Sequence, residues 1–127
     1  MREPKFRAWV ERYKKYMPVR SMFFEPISGK LDYINVMATG GKHLMLYPGE
    51  FILEQYTGLQ DRGKEIYEGD IIRWANSVGR EITAPVVWNT RAWCWTAGDY
   101  MLGGLLEFDL EVVGNIHEDL KLLEAKE

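Results

Sequence analysis

The feature that most constrains this chain is a set of short runs in which charged and apolar side chains alternate, each closed off by glycine or proline. Lys5-Phe6-Arg7-Ala8-Trp9-Val10 is the first of them, and its period of two is that of a strand with one face buried. Leu31 to Met37 alternates again, with Leu31, Tyr33 and Asn35 toward one face and Ile34 and Val36 toward the other. Helical periodicity is nearly absent. Only Glu118 to Lys126 shows it, with Leu120, Leu122 and Leu123 on one side among charges, enough for a single turn or a frayed tail. The expected fold class is therefore mainly β: a compact single domain of antiparallel hairpins with one or two short helical turns.

Turn residues divide the chain into its runs. Tyr16 to Pro26 reads as an extended segment whose two prolines argue for a sheet edge, because proline cannot donate to a ladder. Ser28-Gly29-Lys30 is a hairpin turn. Phe51 to Thr57 and Asp70 to Trp74 read as strands, with Gln60-Asp61-Arg62-Gly63-Lys64 as a tight turn between them. Asn76 to Glu81 is a hairpin tip. Thr83 to Trp88 and Arg91 to Thr96 form the arms of a further hairpin in which Trp88, Trp93 and Trp95 can pair across strands. Gly103-Gly104 interrupts the next stretch before Leu105 to Leu110, which ends near Glu111 to Ile116. Leu44-Met45-Leu46 is too short to classify. The stretch 38–50 is the weakest part of the pattern, and an internal seam is expected there within one folding unit spanning 1–127.

Composition agrees with a β-rich globular chain. At 127 residues it fits one domain, and burial of roughly 68% of the unfolded surface at this size removes the need for a disulfide or metal staple. Five Trp, seven Tyr and five Phe favour pleated surfaces. The single cysteine, Cys94, cannot close an internal disulfide, and between Trp93 and Trp95 a buried, inert thiol is expected. No apolar run follows the basic residues of the N-terminus, and no window reaches the length of a membrane span. The expected location is the cytoplasm, without membrane contact.

Charge is unevenly placed. Residues 1–20 carry seven basic side chains against Glu3 and Glu11, a net of +5, while the remainder carries nine basic and seventeen acidic, a net of −8. Within the basic segment Lys5, Arg7, Arg12, Lys14, Lys15 and Arg20 interleave with Phe6, Trp9, Tyr13 and Tyr16. Phosphate contacts and stacking surfaces would make these six cations a nucleic-acid-binding set. The sequence pI near 5.5 and the acidic remainder oppose that reading, since a dedicated binder is usually basic as a whole.

Two blocks carry a family resemblance. Glu54-Gln55-Tyr56-Thr57-Gly58-Leu59-Gln60-Asp61 and Gly63-Lys64-Glu65-Ile66-Tyr67-Glu68-Gly69-Asp70-Ile71-Ile72 resemble the signature of the YopX family of phage and prophage proteins. So do the opening Lys5-Phe6-Arg7-Ala8-Trp9 and the closing Val112-Val113-Gly114-Asn115-Ile116-His117-Glu118, in the family's order. Pro18 to Glu50 is less typical. The resemblance implies a small, mainly β protein of a bacterial host cell, encoded by a phage or prophage, and no established activity, so it supplies no catalytic residues. Its signature positions here are Trp9, Tyr56, Thr57, Gly58, Gly63, Ile66, Tyr67, Gly69, Asp70, Gly114 and Asn115. Physically these read as architecture: glycines at sharp turns, aromatics that lock the turns onto a core, and carboxylates that accept from turn amides. Glu68 to Trp74 also resembles the passage from loop to strand in SH3-like small barrels, which makes a partly open barrel one form the C-terminal half can take.

No catalytic constellation is present. His43 stands alone in a glycine-flanked loop, and His117 has Glu118 and Asp119 beside it but no second histidine. Asp61, Glu65, Glu68 and Asp70 are dense enough to consider as a magnesium-holding nuclease set, yet they suit solvated turns equally, and no nuclease lysine motif accompanies them. The phosphate-cradling and nucleophile-elbow glycine motifs are missing from the sequence. We therefore expect no cofactor and no enzymatic activity, and a role as an interaction or assembly module. Self-association is the favoured partnership, because the basic N-terminal segment complements residues 107–127, which carry seven acids and two bases. A phage or host protein is the other partner expected.

Overall fold

A computed structural model describes residues 5–124. It is mainly β, with eleven strands grouped by hydrogen bonding into antiparallel sheets. The chain divides into an N-terminal unit, residues 1–55, and a C-terminal unit, residues 56–127. The 38–50 stretch lies inside the first of these.

The N-terminal unit contains β1 (Phe6–Val10), β2 (Lys15–Phe24), β3 (Leu31–Met37), β4 (His43–Leu46) and the first half of β5 (Ile52–Asp61), in the spatial order β4-β3-β2-β1-β5. Alternation places Ile34 and Val36 inside as expected, whereas Leu31 joins them rather than Tyr33 and Asn35, beside the register shift between the Phe23–Tyr33 and Phe24–Leu31 rungs. Ala8, Val10, Met17, Ile34, Val36 and Leu46 form a buried cluster on one face, with Val19, Met22, Leu31, Leu44 and Phe51 packed against it. The edge position expected from the prolines is not observed, since β2 lies between β3 and β1. Pro18 is nonetheless accommodated for the reason that suggested an edge. It occupies the last rung with β1, opposite Arg7, and the ladder with β3 begins only at Val19. β2 thus hands over from one partner to the other at the residue that lacks an N–H.

β5 continues across the boundary, pairing with β1 through Ile52–Gln55 and with β6 (Lys64–Tyr67) beyond it. The β5–β6 turn, Arg62-Gly63, has φ of 50° and 87°, the two successive left-handed residues that a two-residue hairpin loop of matching twist requires. The C-terminal unit adds a five-stranded sheet in the order β10-β9-β8-β7-β11, made of β7 (Asp70–Ala75), β8 (Glu81–Asn89), β9 (Cys94–Ala97), β10 (Tyr100–Met101) and β11 (Glu111–Asn115). Its core joins Ile66, Ile72, Trp74, Ala84, Val86 and Ala97 to Leu102, Leu105 and Leu110.

The sheets do not close into a barrel: β10 and β11 remain as separate edges of the five-stranded sheet. Gly103-Gly104, read as a break in the chain, sits within the short helix α1 (Leu102–Leu105), and Leu106–Phe108 continues it as a 3-10 turn. The flanking Leu102 and Leu105 are both buried, so their packing on the sheet, rather than the helical propensity of the two glycines, holds this turn. The helical look of Glu118 to Lys126 resolves into one 3-10 turn, Leu120–Leu123, and the residues beyond 124 lie outside the described part.

Candidate interaction surface

The signature positions of the C-terminal unit are bound into the fold. Thr57 is buried; its hydroxyl donates to the Ile66 carbonyl at 2.7 Å and accepts from the Leu59 N–H at 3.1 Å. Tyr56 and Tyr67 face each other across β5 and β6 with ring centroids 5.5 Å apart. Gly58 marks the register shift between these rungs. Gly69 donates its N–H to the Val86 carbonyl and accepts from the Ile116 N–H, both at 2.9 Å, so one turn residue ties two segments together. The Asp70 carboxylate accepts the Tyr67 N–H at 2.8 Å.

Asn115 organises the end of β11. Its side-chain oxygen accepts from the N–H groups of His117 and Glu118, at 2.9 and 3.0 Å, and its own N–H donates to the Asp119 carboxylate at 3.0 Å. Gly114 precedes it for a steric reason: a Cβ there would stand 2.5 Å from Asp119 Oδ2.

Asp61 and Glu65, like Asp70, have structural partners. Asp61 accepts from the Val112 N–H at 3.2 Å and pairs with Arg62, while Glu65 accepts from the Tyr67 hydroxyl. Among the described residues, no group of three or more His, Cys, Asp or Glu is arranged to hold a metal ion. Cys94 is half-buried rather than buried, because it begins β9 opposite Asn89, next to the turn, where the sheet no longer covers it.

The six basic residues have different partners. Arg7 is directed into a network: its guanidinium meets Glu54 at 2.9 Å, donates to the Tyr16 hydroxyl at 3.0 Å and lies 3.7 Å from the centroid of the Tyr16 ring. Lys14 pairs with Glu11, and Lys15 donates to the Thr39 hydroxyl at 2.8 Å. Arg12 lies over the exposed Tyr13, Arg20 reaches the Met37 sulfur, and Lys5 is exposed. Of the aromatics that would stack on bases, Trp9 is only 1% exposed.

A different surface in the N-terminal unit is more continuous. Cross-strand register places Phe23 beside Tyr33, and Ser21, Asn35 and Met45 in one row, all on the face of β2, β3 and β4 opposite the buried cluster. Phe23 and Tyr33 stack with centroids 4.6 Å apart and planes at 18°, and Tyr47 tilts against Tyr33 at 6.0 Å. The Tyr47 hydroxyl reaches the Met45 sulfur at 3.0 Å. Phe23, Met45 and Tyr47 remain 42%, 46% and 50% exposed. β4 ends the strand order here and presents an outer edge. This face was not legible in the sequence because residues 44–46 are too short to assign a strand phase; the alternation Leu44-Met45-Leu46 is the signal that, once phased by β3, exposes Met45.

An open antiparallel sheet protein, with turns pivoted on glycine and an aromatic–methionine face left to solvent, is the class these features define. The family model described as YopX protein matches residues 5–124. The chain belongs to the YopX family. It is similar to a crystal structure of protein EF1440 from Enterococcus faecalis, with a TM-score of 0.70 and 26% identity over 98% of this chain and 100% of that one. No curated protein matches. Among the described residues no helix is long and apolar enough to cross a membrane.

Proposed function

We propose that this YopX protein is a non-catalytic interaction and assembly module, of phage or prophage origin, that associates with a second copy of itself through the outer face of β2, β3 and β4. The observation that carries the reading is the contiguous set Phe23, Tyr33, Met45 and Tyr47 on a sheet that ends in an open edge strand. Aromatic and methionine side chains are the types enriched where protein surfaces meet, and an unpaired edge supplies backbone donors and acceptors beside them. Charge supports the same partnership: the basic segment of one copy complements the acidic residues 107–127 of another. Support for the nucleic-acid alternative is thinner, since Trp9 is buried and Arg7 is engaged with Glu54 and Tyr16.

Light scattering over a concentration series at low and high salt tests the proposal. The expected result is an oligomer that persists at high salt, because apolar contacts are not screened whereas exposed charges are. F23S combined with M45S should shift the protein to monomer while its circular dichroism stays unchanged. A monomer at every concentration and both salts would overturn self-association. DNA or RNA binding at low salt that is lost on replacing Lys14 and Lys15 would favour the alternative.

A further inference from the structure

The C-terminal unit holds a cleft of about 540 Å³ that neither the family signature nor the interaction face uses. Arg73 and Thr83, cross-strand partners on β7 and β8, contribute to it, together with Arg80 from the turn between those strands. Ile82, Tyr100, Leu122 and Leu123 give it apolar walls. Tyr100 is fixed there by edge-to-face contact with the buried Trp74, at 5.7 Å and 82°.

Arg73 is the informative residue. It is the one charge between Asp70 and Ala75 in an otherwise apolar strand. Its Nε is buried and has no hydrogen-bond acceptor among the described residues. Glu81, the carboxylate paired with it, stands 4.0 Å away, beyond hydrogen-bond reach. Buried polar groups are nearly always satisfied, so the orphaned Nε marks an uncompensated cation, and the rest of the Arg73 side chain, one-third exposed, lines the cleft through which an anion can approach it. Guanidinium is planar and matches carboxylate and phosphate oxygens in pairs.

We propose that this cleft binds a small organic anion, a carboxylate or phosphate monoester on an apolar body. The anionic oxygens are received by Arg73 with Arg80 beside it, and the body lies against Ile82, Leu122 and Leu123. The volume falls in the range of about 300–1,000 Å³ usual for small-molecule sites. Glu81 and Glu124 also line the cleft, and their charge disfavours a polyanion such as nucleic acid. A single anionic group on an apolar body fits both the cations and the walls.

The test uses the whole protein, labelled with nitrogen-15, titrated separately with hexanoate, hexyl phosphate, inorganic phosphate and hexylammonium. The expected result is a saturable shift of the Arg73 Nε–H signal and of the 76–83 amides with hexanoate, hexyl phosphate or both. The preferred one distinguishes a carboxylate from a phosphate ligand. Hexylammonium should give no shift at these positions, and inorganic phosphate a weaker one. R73Q should weaken binding at least about tenfold, which corresponds to about 1.4 kcal/mol. Its thermal stability should stay close to that of the parent, because Nε has no internal hydrogen bond to lose and its ion pair with the exposed Glu81 is long. Should R73Q fail to fold, R80Q and L122S serve the same comparison. No saturable shift with either organic anion at millimolar concentrations, equal binding of hexylammonium, or undiminished binding by a folded R73Q would each overturn the proposal. F23S with M45S should leave these titrations unchanged, which separates this site from the self-association face.

Discussion

The two units hold their hairpin turns with different chemistry. In the N-terminal unit the turn joining β2 to β3 is held by Glu25, whose carboxylate accepts from the N–H groups of Ile27 and Ser28 at 3.1 and 2.5 Å, and the turn after β4 by Glu50, which accepts from Tyr47 at 2.8 Å. In the C-terminal unit the corresponding acceptors are amides. Asn76 accepts from Val78 and Arg80 at 3.1 and 2.9 Å, and Asn89 from Arg91 and Ala92, both at 2.9 Å. The same geometric task, satisfying turn N–H groups that no ladder reaches, is thus performed by an ionisable group in one unit and a neutral one in the other. Packing differs as well. The C-terminal sheet has its own cover, since α1 places Leu102 and Leu105 in the core. In the N-terminal unit the 3-10 turns Glu11–Tyr13 and Thr39–Gly41 bury no residue, and aromatic groups are left on the outer face of the sheet. The unit with its own helical cover carries a cleft; the unit without it offers an open face.

The largest effects should come from the two cores. Trp74→Ala removes the biggest buried side chain of the C-terminal cluster together with the support for Tyr100, and should cost about 3–5 kcal/mol. Ile34→Ala in the N-terminal cluster should cost about 2–5 kcal/mol and leave the Trp74–Tyr100 contact intact. Urea unfolding gives both values. An Ile34→Ala cost well above that of Trp74→Ala would show that the N-terminal cluster is the more tightly packed, reversing the ranking.

Arg7→Met is next. Glu54 is 2% exposed, and removing the guanidinium takes away a charged partner at 2.9 Å. A loss on the order of 2 kcal/mol is expected. Glu54→Gln in the same background should recover part of it, because an amide costs less to bury than a carboxylate. An additive double variant would show that the two side chains do not depend on one another.

Gly114→Ala should cost about 1–2 kcal/mol, since the new methyl forces Asp119 away from the Asn115 N–H it accepts. Asp119→Ala also loses that bond, so the double variant should be little worse than either single one. This pair isolates a turn of the C-terminal unit that depends on a carboxylate, as the Tyr67–Asp70 turn also does, in contrast to its asparagine-held hairpins. A full additive loss would mean that the glycine is needed for another reason.

How much of this was legible depended on whether a residue's role is local. Gly63, Gly58 and Gly69 could be assigned to sharp turns because the need for positive φ lies within a few residues. The Trp88–Trp95 pair was expected from the hairpin and is found with centroids 5.1 Å apart. Arg7 looked like one member of a basic segment because its partner, Glu54, lies 47 residues away. The position of β2 was missed because two prolines cannot reveal that the two halves of a strand have different neighbours. Arg73 was passed over as a strand residue, although a single charge among Ile71, Ile72 and Trp74 is the sequence trace of its cleft. The face formed by Phe23, Tyr33 and Met45 required three strand phases at once, and the sequence supplies only that of Leu31 to Met37.

The smallest expected effect is the one that separates the two turn chemistries most directly. The N–H of Ser28, its hydroxyl and the N–H of Ile27 hold the Glu25 carboxyl below the ordinary carboxylate range. A folded-state value lower than the unfolded one contributes stability above the unfolded pKa, and that contribution is lost as pH falls through the folded value. Acid should therefore loosen the 25–30 turn, while the turns at Asn76 and Asn89, whose acceptors do not ionise, keep their bonds. A carbon-13 titration of the glutamate carboxyls should place Glu25 below the ordinary carboxylate range, and amide exchange of Ile27 and Ser28 should accelerate in acid relative to Val78 and Ala92. Glu25→Gln should abolish that pH dependence while retaining an acceptor for the turn. Equal acid response in all three turns would mean that the carboxylate is a bystander and that Gly29 alone, at φ 74°, sets the bend.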